Sequence, residues 1–436
     1  TRFPESYRTN DVAVSLPLAV PAMGYTTLTV RPGETRRVGR VDVALPTRHP
    51  SRHGLATSER SMANEYVGVT VEPNGTLTID DLRTGHTYRR LLTFEDIADI
   101  GDGWYHGMAV NDQCFVSTGA ASEVALVHDG PYLTTFRVRT TLRVPEAFDF
   151  DRMIRTEGFA TVVVDSLVSL RPGSDRVEIE TTVHNTARDH RLRVLFPSGA
   201  QASTYLADSP YDVVERPIAL RADNHAYREL EVETKPQQSW TAVYGDERGL
   251  AIISEGLMES AVRELPERPI ALTLLRATRR TVMTDGEPEG QLLGEHRFRY
   301  WIVPLAAAPD RVRLTLTGQQ LAAGLRDVTL RAADVAGQDV GGSLPPEAGF
   351  LEISGGAVLT SARRVEGALE VRVYNPSDER AKALLRLGEV AAADAAPTSY
   401  VPVDLESRPL GEAQPIRGGA VPVTLGPKKI VTLRLA

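Results

Sequence analysis

Cysteine is almost missing from this chain: Cys114 is the one thiol in 436 residues. That excludes an internal disulfide and any multi-cysteine metal centre, and it fits a reducing, cytoplasmic setting. Long apolar runs are missing as well. No segment reaches the ~18 consecutive apolar residues that a membrane helix needs, so no membrane partner is expected. The opening residues, Thr1-Arg-Phe-Pro-Glu-Ser-Tyr, have neither the charged n-region nor the apolar h-region of a signal peptide. A surplus of positive charge is also lacking. A formal net charge of -8 argues against nucleic acid, which requires a basic face. There is no Gly-x-Ser-x-Gly, no P-loop and no dinucleotide fingerprint, and long amphipathic helices are not visible.

What remains is a β text. A composition of 42% hydrophobic and 24% charged residues is that of a globular protein, with room for two or three domains at roughly 150 residues each. Apolar residues recur with period two. Val67, Val69 and Val71 alternate with small or polar residues, and Leu77 and Ile79 follow across the turn Pro73-Asn74-Gly75. The Asn74-Gly-Thr sequon is read as part of that hairpin turn and not as a glycosylation site. Phe136, Val138, Thr140 and Leu142 repeat the alternation with Arg137, Arg139 and Arg143 opposite. Further strands are predicted over 161–170, 177–183, 239–244, 250–253, 270–275, 297–303 and 311–317. Antiparallel sheets with one wet face produce this pattern, so the fold class is all-β. The boundaries follow from composition. Residues 1–46 supply N-terminal strands, 47–61 a linker, 62–335 a large β domain, 336–346 a second linker, and 347–436 a C-terminal β-sandwich. The N-terminal strands are too few to bury a core alone and are expected to join the C-terminal sandwich or to cap the large one.

Two stretches look unlike core. The first runs Phe94-Glu-Asp-Ile-Ala-Asp-Ile-Gly-Asp-Gly-Trp-Tyr-His-Gly. Carboxylates and aromatics sit there among glycines that permit unusual backbone angles. Aromatic rings can stack on the apolar faces of a sugar while carboxylates accept its hydroxyls, so Asp102, Trp104 and Tyr105 are candidate substrate-binding residues. The competing reading is a structural Ω-loop that Trp104 anchors. The second stretch is Ser209-Pro-Tyr-Asp-Val-Val-Glu-Arg-Pro-Ile. Arg216 stands where Pro217 turns the chain out of its sheet, and its guanidinium could grip a carboxylate or hydroxyls or simply pair with a neighbouring loop. Metal ligation finds little support. His49 and His53 are four apart, but Pro50 intervenes and no acidic residue accompanies them, whereas catalytic zinc needs three protein ligands. His184 and His190 flank a polar turn and are expected to be solvated. No carboxylate pair stands out by spacing as a catalytic pair.

Four motifs in fixed order resemble the C-terminal β half of family 38 glycoside hydrolases, the zinc-dependent α-mannosidases. They are Asn64-Glu-Tyr-Val-Gly-Val-Thr-Val with Asn74-Gly-Thr-Leu-Thr-Ile; Gly101-Asp-Gly-Trp-Tyr-His-Gly; His190-Arg-Leu-Arg-Val-Leu-Phe-Pro; and Ala271-Leu-Thr-Leu-Leu-Arg. The resemblance implies a large antiparallel supersandwich of the galactose-mutarotase type followed by a smaller sandwich. It also implies that the nucleophile and the zinc belong to an N-terminal catalytic domain whose motifs this sequence lacks. No catalytic residue, metal ligand or cofactor is therefore expected in the chain, which reads as a piece of an enzyme, inactive alone. Its expected partners are an α-mannoside and its own catalytic domain, with a homo-oligomer left open. Tyr105 and Arg216 are the contributors to the active-site rim that the resemblance implies, and whether Trp104 or Tyr105 faces the sugar stays open. The competing functions are a stand-alone glycan-binding β-sandwich protein and a mutarotase-like sugar-modifying enzyme working through a Glu/His pair.

Overall fold

The computed structural model describes residues 16–29, 54–280, 286, 289–329, 344–388 and 397–436. His49 and His53 lie outside them, as do residues 47–53 of the first expected linker, most of the second and the predicted strand pattern before Leu16. Among the described residues no helix is long and apolar enough to cross a membrane.

The large domain is an antiparallel supersandwich. One layer is a nine-stranded sheet running from the edge strand Asp212–Pro217 to the opposite edge Ala121–Asp129. Facing it are a six-stranded sheet and a four-stranded one. The alternation read from the sequence explains why. In the strand Thr134–Pro145, Phe136, Val138, Leu142 and Val144 point inward and are buried, while Arg137 and Arg139 reach outward to Asp165 on the neighbouring strand. The inward residues of all three sheets meet in one cluster that includes Val69, Ile79, Phe94, Phe136, Val194, Leu272 and Ile302. Each such side chain contributes about 1.5–3 kcal/mol when fully buried. The turn at Asn74 is a hairpin, with Gly75 at φ +83° where other residues would be strained.

The C-terminal sandwich packs a three-stranded sheet on a five-stranded one around Leu351, Val371, Val373, Leu385, Val421 and Leu433. The N-terminal strand Gly24–Thr26 pairs with Glu347–Gly349 at the start of that sandwich. Residues 54–60, expected as linker, instead belong to the large domain. Ala56 bridges to Met62, the Leu55 amide donates to Thr134 Oγ1 at 3.0 Å, and Leu55 packs on the main core.

One predicted strand is a helix. Residues 311–317 alternate as Arg-Val-Arg-Leu-Thr-Leu-Thr, yet Arg311–Ala323 is α-helical. Asp310 caps it, its side chain accepting the Arg313 amide at 3.0 Å. The buried positions, Leu314, Thr315, Gly318 and Leu321, have helical spacing. They dock on Trp240, Ile253 and Val303, with Trp240 Nε1 donating to Thr315 Oγ1 at 3.1 Å. A Cβ on Gly318 would stand 2.4 Å from Ser239 Oγ, so the close approach requires glycine. Packing against Trp240 and the Asp310 cap outweigh the period-two pattern. The helix also ties the two sandwiches together, through Arg311 with Asp378 at 2.6 Å and Gln319 with the Leu359 carbonyl at 2.9 Å.

Candidate functional site

The six-stranded sheet turns one face to the core and the other outward, and the outward face carries charge. In the strand His190–Phe196 the core side bears His190, Leu192 and Val194, and the outer side bears Arg191 and Arg193. Both arginines are nevertheless buried, contrary to the solvated face that alternation suggests, because segments around residues 98–114 and 230–235 lie over them. Arg193 donates to Glu95 Oε1 from Nε at 2.9 Å and from Nη2 at 2.5 Å, and to Glu233 from Nη1 at 2.7 Å. Arg263 reaches the same two carboxylates at 2.8 and 3.3 Å, which closes a ring of two arginines and two glutamates. Burial alone would raise the Glu233 carboxyl, but the neighbouring Arg193 guanidinium holds it below its ordinary value. Among the described residues Arg191 makes no such ion pair, its guanidinium donating to Thr234 Oγ1 at 3.1 Å. Burial, with Arg193 beside it, pushes its guanidinium down to about 9.

His190 is fully buried, not solvated. Its Nδ1 meets Asp96 Oδ2 at 2.5 Å and its Nε2 meets Asn185 Oδ1 at 3.0 Å, while Asp96 also faces Arg155 at 2.6 Å. The stretch read as one loop from Phe94 therefore divides. Thr93–Ala98 is a strand whose Glu95 and Asp96 are committed to internal ion pairs, and the loop proper begins at Asp99.

That loop is held at its base by one carboxylate. Asp99 Oδ1 accepts the amides of Gly101 at 3.0 Å and Gly107 at 3.2 Å, and Oδ2 accepts Arg276 Nε at 2.7 Å. The Ile100 amide donates to the Gly107 carbonyl and the Asp102 amide to the Tyr105 carbonyl, both at 3.0 Å. Two glycines allow this closure. A Cβ on Gly101 would stand 1.9 Å from the Tyr105 carbonyl oxygen, and one on Gly107 would stand 2.3 Å from the Gly101 nitrogen. Asp102 is spent on the turn, since its Oδ1 accepts the amides of Trp104 and Tyr105 at 2.9 Å each. His106 points in. Its ring meets the Ala98 carbonyl at 3.1 Å, and burial, with Arg191 nearby, lowers it to about 4, so it is neutral near pH 7. Trp104 and Tyr105 point out, 77% and 41% exposed, and Met108 and Val110 are exposed beside them. Trp104 anchors no core.

Arg216 lies at the margin of the same region. It stands on the edge strand Asp212–Pro217 of the nine-stranded sheet, and its Nη1 donates to the Pro236 carbonyl at 2.7 Å. Pro236 pairs with Glu259 at the edge of the six-stranded sheet, and Glu259 faces Arg276 at 3.5 Å. Arg276 in turn donates to the Asp102 carbonyl at 2.8 Å. The two stretches picked out in the sequence are thus joined by one chain of contacts. Arg276 and Asp99 escaped the sequence reading as individual residues, although the Leu-Leu-Arg motif contains the first. The available signal was an arginine closing a strand otherwise made of core residues, Ile270–Ala277.

Among the described residues no group of three or more His, Cys, Asp or Glu side chains could hold a metal ion. The zinc that the resemblance implies therefore has no fitting ligand set among them. A cavity of about 1020 Å³ lies elsewhere, where helix Arg311–Ala323 and both sandwiches meet. Its one tryptophan, Trp301, is capped by the Arg176 guanidinium 3.9 Å from the ring centroid, which closes that ring face to stacking.

Known proteins resemble this chain in sequence and fold. The family model described as the glycosyl hydrolases family 38 C-terminal domain matches residues 62–284. A Halalkalibacterium halodurans protein with the provisional name mannosylglycerate hydrolase is 26% identical over 269 residues, which is 57% of this chain and 29% of that protein. A family 38 glycosyl hydrolase from Enterococcus faecalis superposes with a TM-score of 0.73 at 27% identity, over 88% of this chain and 44% of that one. An alpha-mannosidase from Enterococcus faecalis V583 gives 0.72 and 26%, over 88% and 43%. The chain spans less than half the length of each of these relatives.

Proposed function

The chain belongs to glycosyl hydrolase family 38, whose C-terminal domain it carries, and we propose that it forms the substrate-facing rim of an enzyme acting on α-mannosides. In this reading the bond-breaking nucleophile and the zinc reside in a catalytic domain outside this chain, and the β domain supplies a rigid wall and sugar contacts. One observation carries the reading. On a face where Arg193, Glu95, Glu233 and Arg263 are tied into one ion-pair ring, a loop locked by Asp99, Asp102 and Arg276 holds Trp104 and Tyr105 out to solvent. Ligand contacts concentrate on such loops held by rigid scaffolds. An aromatic ring can stack on the apolar face of a pyranose, Tyr105 can hydrogen-bond a hydroxyl, and Arg216 adds a donor fork. Met108 and Val110, exposed on the same loop, suit the edge of an interface with the catalytic domain, since such patches mark interaction surfaces. The names of two relatives share a mannosyl group, which supports a mannoside as the substrate.

The test uses a protein that joins this chain to the remainder of the family's length. Tyr105→Phe or Arg216→Ala should raise KM for an aryl α-mannoside or lower kcat, with thermal stability unchanged. Kinetics matching the parent in both variants would refute the rim. The mutarotase-like alternative gains no support from the buried histidines, because His106 and His190 spend ring nitrogens on internal partners.

A further inference from the structure

Arg276 holds an unusual position, and its guanidinium has work on three sides. Nε and Nη2 fork onto the Asp99 carboxylate at 2.7 and 3.4 Å. Nη2 also donates to the carbonyl of Asp102 at 2.8 Å, the residue whose side chain organises the turn bearing Trp104 and Tyr105. Nη1 faces Glu259 at 3.5 Å, and Glu259 is paired across the sheet with Pro236, whose carbonyl accepts Arg216. The side chain is only 11% exposed, so it is not available to a ligand. Burial alone would lower its affinity for the proton, but Asp99 and Glu259 outweigh burial and raise it, so the charge is retained. A lysine could not reproduce these contacts, because an ammonium is a point charge without the planar fork.

We infer that Arg276 is the positioning residue of the rim: it fixes the loop carrying Trp104 and Tyr105 relative to the strand edge carrying Arg216. The ligand class is a pyranoside, gripped by the aromatics from one side and the guanidinium of Arg216 from the other. This rests on the rim reading above, but its structural half does not need a sugar to be tested. Strand pairing places Glu259, and hence Arg276, between the two stretches. No other described side chain is recorded in contact with both the Asp102 carbonyl and Glu259. A misplacement of ~1 Å in such a grip can cost a hundredfold in rate.

The experiment is ¹⁹F NMR of the full 436-residue chain labelled with 5-fluorotryptophan. The three resonances belong to Trp104, Trp240 and Trp301, and Trp240, fully buried under the helix, is the internal control. Arg276→Met and Arg276→Lys should both shift and broaden the Trp104 resonance while Trp240 stays in place. Failure of lysine to restore the signal separates a fork that positions the loop from a charge that merely fills space. Glu259→Gln, at a side chain 34% exposed and so tolerant of change, should shift Trp104 by a smaller amount. It serves as the second probe should Arg276→Met fail to fold. An unmoved Trp104 resonance in the folded Arg276 variants, or full restoration by lysine, overturns the assignment. In the joined enzyme, Arg276→Lys should raise KM about tenfold or more, in line with the cost of misplacement. A loosened Trp104 together with normal kinetics in Tyr105→Phe and Arg216→Ala would keep Arg276 as the loop's anchor and reject the sugar, so the two readings fail separately.

Discussion

His106 offers the most exacting check on the loop, because its environment predicts a slope with pH. The ring is 7% exposed, sits within the loop that presents Trp104, and meets the Ala98 carbonyl at 3.1 Å. Burial, reinforced by Arg191, takes it from its ordinary value of 6.5 to about 4, although Asp99 and the Ala98 carbonyl pull the other way. The unfolded chain therefore takes up a proton near pH 6.5, which the folded chain refuses until about pH 4. Proton uptake favours unfolding between those values, so stability present in full above pH 6.5 is lost as the pH falls toward 4. At about 1.4 kcal/mol per pH unit, the loss from this group is about 3 kcal/mol. Replacement by Gln keeps an amide able to donate to Ala98 and removes the titration. Urea denaturation of the parent and His106→Gln from pH 7 to pH 4 isolates the effect, since every other group is common to both. The parent should lose about 3 kcal/mol relative to the variant over that range, and iodide quenching of Trp104 should rise first in the parent. Parallel stability curves would refute the buried, neutral histidine and the closed loop built on it.

Asp208 should show the opposite slope: burial raises its carboxyl to about 6 despite hydrogen bonds from Ser239. Its stabilisation is complete below about pH 4 and is lost as the pH rises to 6, so Asp208→Asn should gain about 3 kcal/mol on the parent between pH 4 and 7, and no gain would contradict the burial. Arg193→Met strands Glu95 and Glu233 without their main partner and should cost about 3–5 kcal/mol in urea denaturation. A cost below about 1 kcal/mol, as for an exposed pair, would mean the ring is solvated. The 436-residue chain by itself should not hydrolyse an aryl α-mannoside, because catalysis there needs a nucleophile and a held metal. Turnover abolished by a chelator, with a longer contaminant excluded by mass, would overturn that expectation.

Whatever depended on a period of two was legible in the sequence. Phe136 to Leu142 and Val177 to Val183 name their strands and their core faces, because a half-buried sheet imposes that alternation and the chain obeys it. Helix Arg311–Ala323 escaped because Val312, Leu314 and Leu316 mimic a strand. Its own signal was the Asp310 cap, with Leu314, Gly318 and Leu321 at helical intervals. The glycines and aromatics marked the loop that follows Ala98, but the stretch before it, read as part of the same loop, is the strand Thr93–Ala98, and the roles of the carboxylates in the two were not separable. In one dimension Glu95, Asp96, Asp99 and Asp102 are four similar carboxylates. In the fold, Glu95 answers Arg193, Asp96 answers His190 and Arg155, Asp99 closes the loop, and Asp102 caps its turn.

Asp102 caps a local turn, but distant partners separate the other three. Glu95 finds Arg193 98 residues on, Asp96 finds His190 94 residues on and Asp99 finds Arg276 177 residues on. No local pattern encodes those pairings. The same holds for Arg191 and Arg193: the motif His190-Arg-Leu-Arg-Val-Leu-Phe-Pro contains both, but nothing in it shows that other segments cover them. A buried charged layer costs desolvation and stabilises little beyond what apolar residues would provide. Here it does something an apolar layer could not. Directional bonds from Asp99 and Arg276 fix one loop geometry among many that hydrophobic contact alone would tolerate. That argues for reading the charged face as the support of the rim and Trp104 and Tyr105 as what it supports. It also explains why the sequence revealed the exposed aromatics before it revealed the residues that hold them.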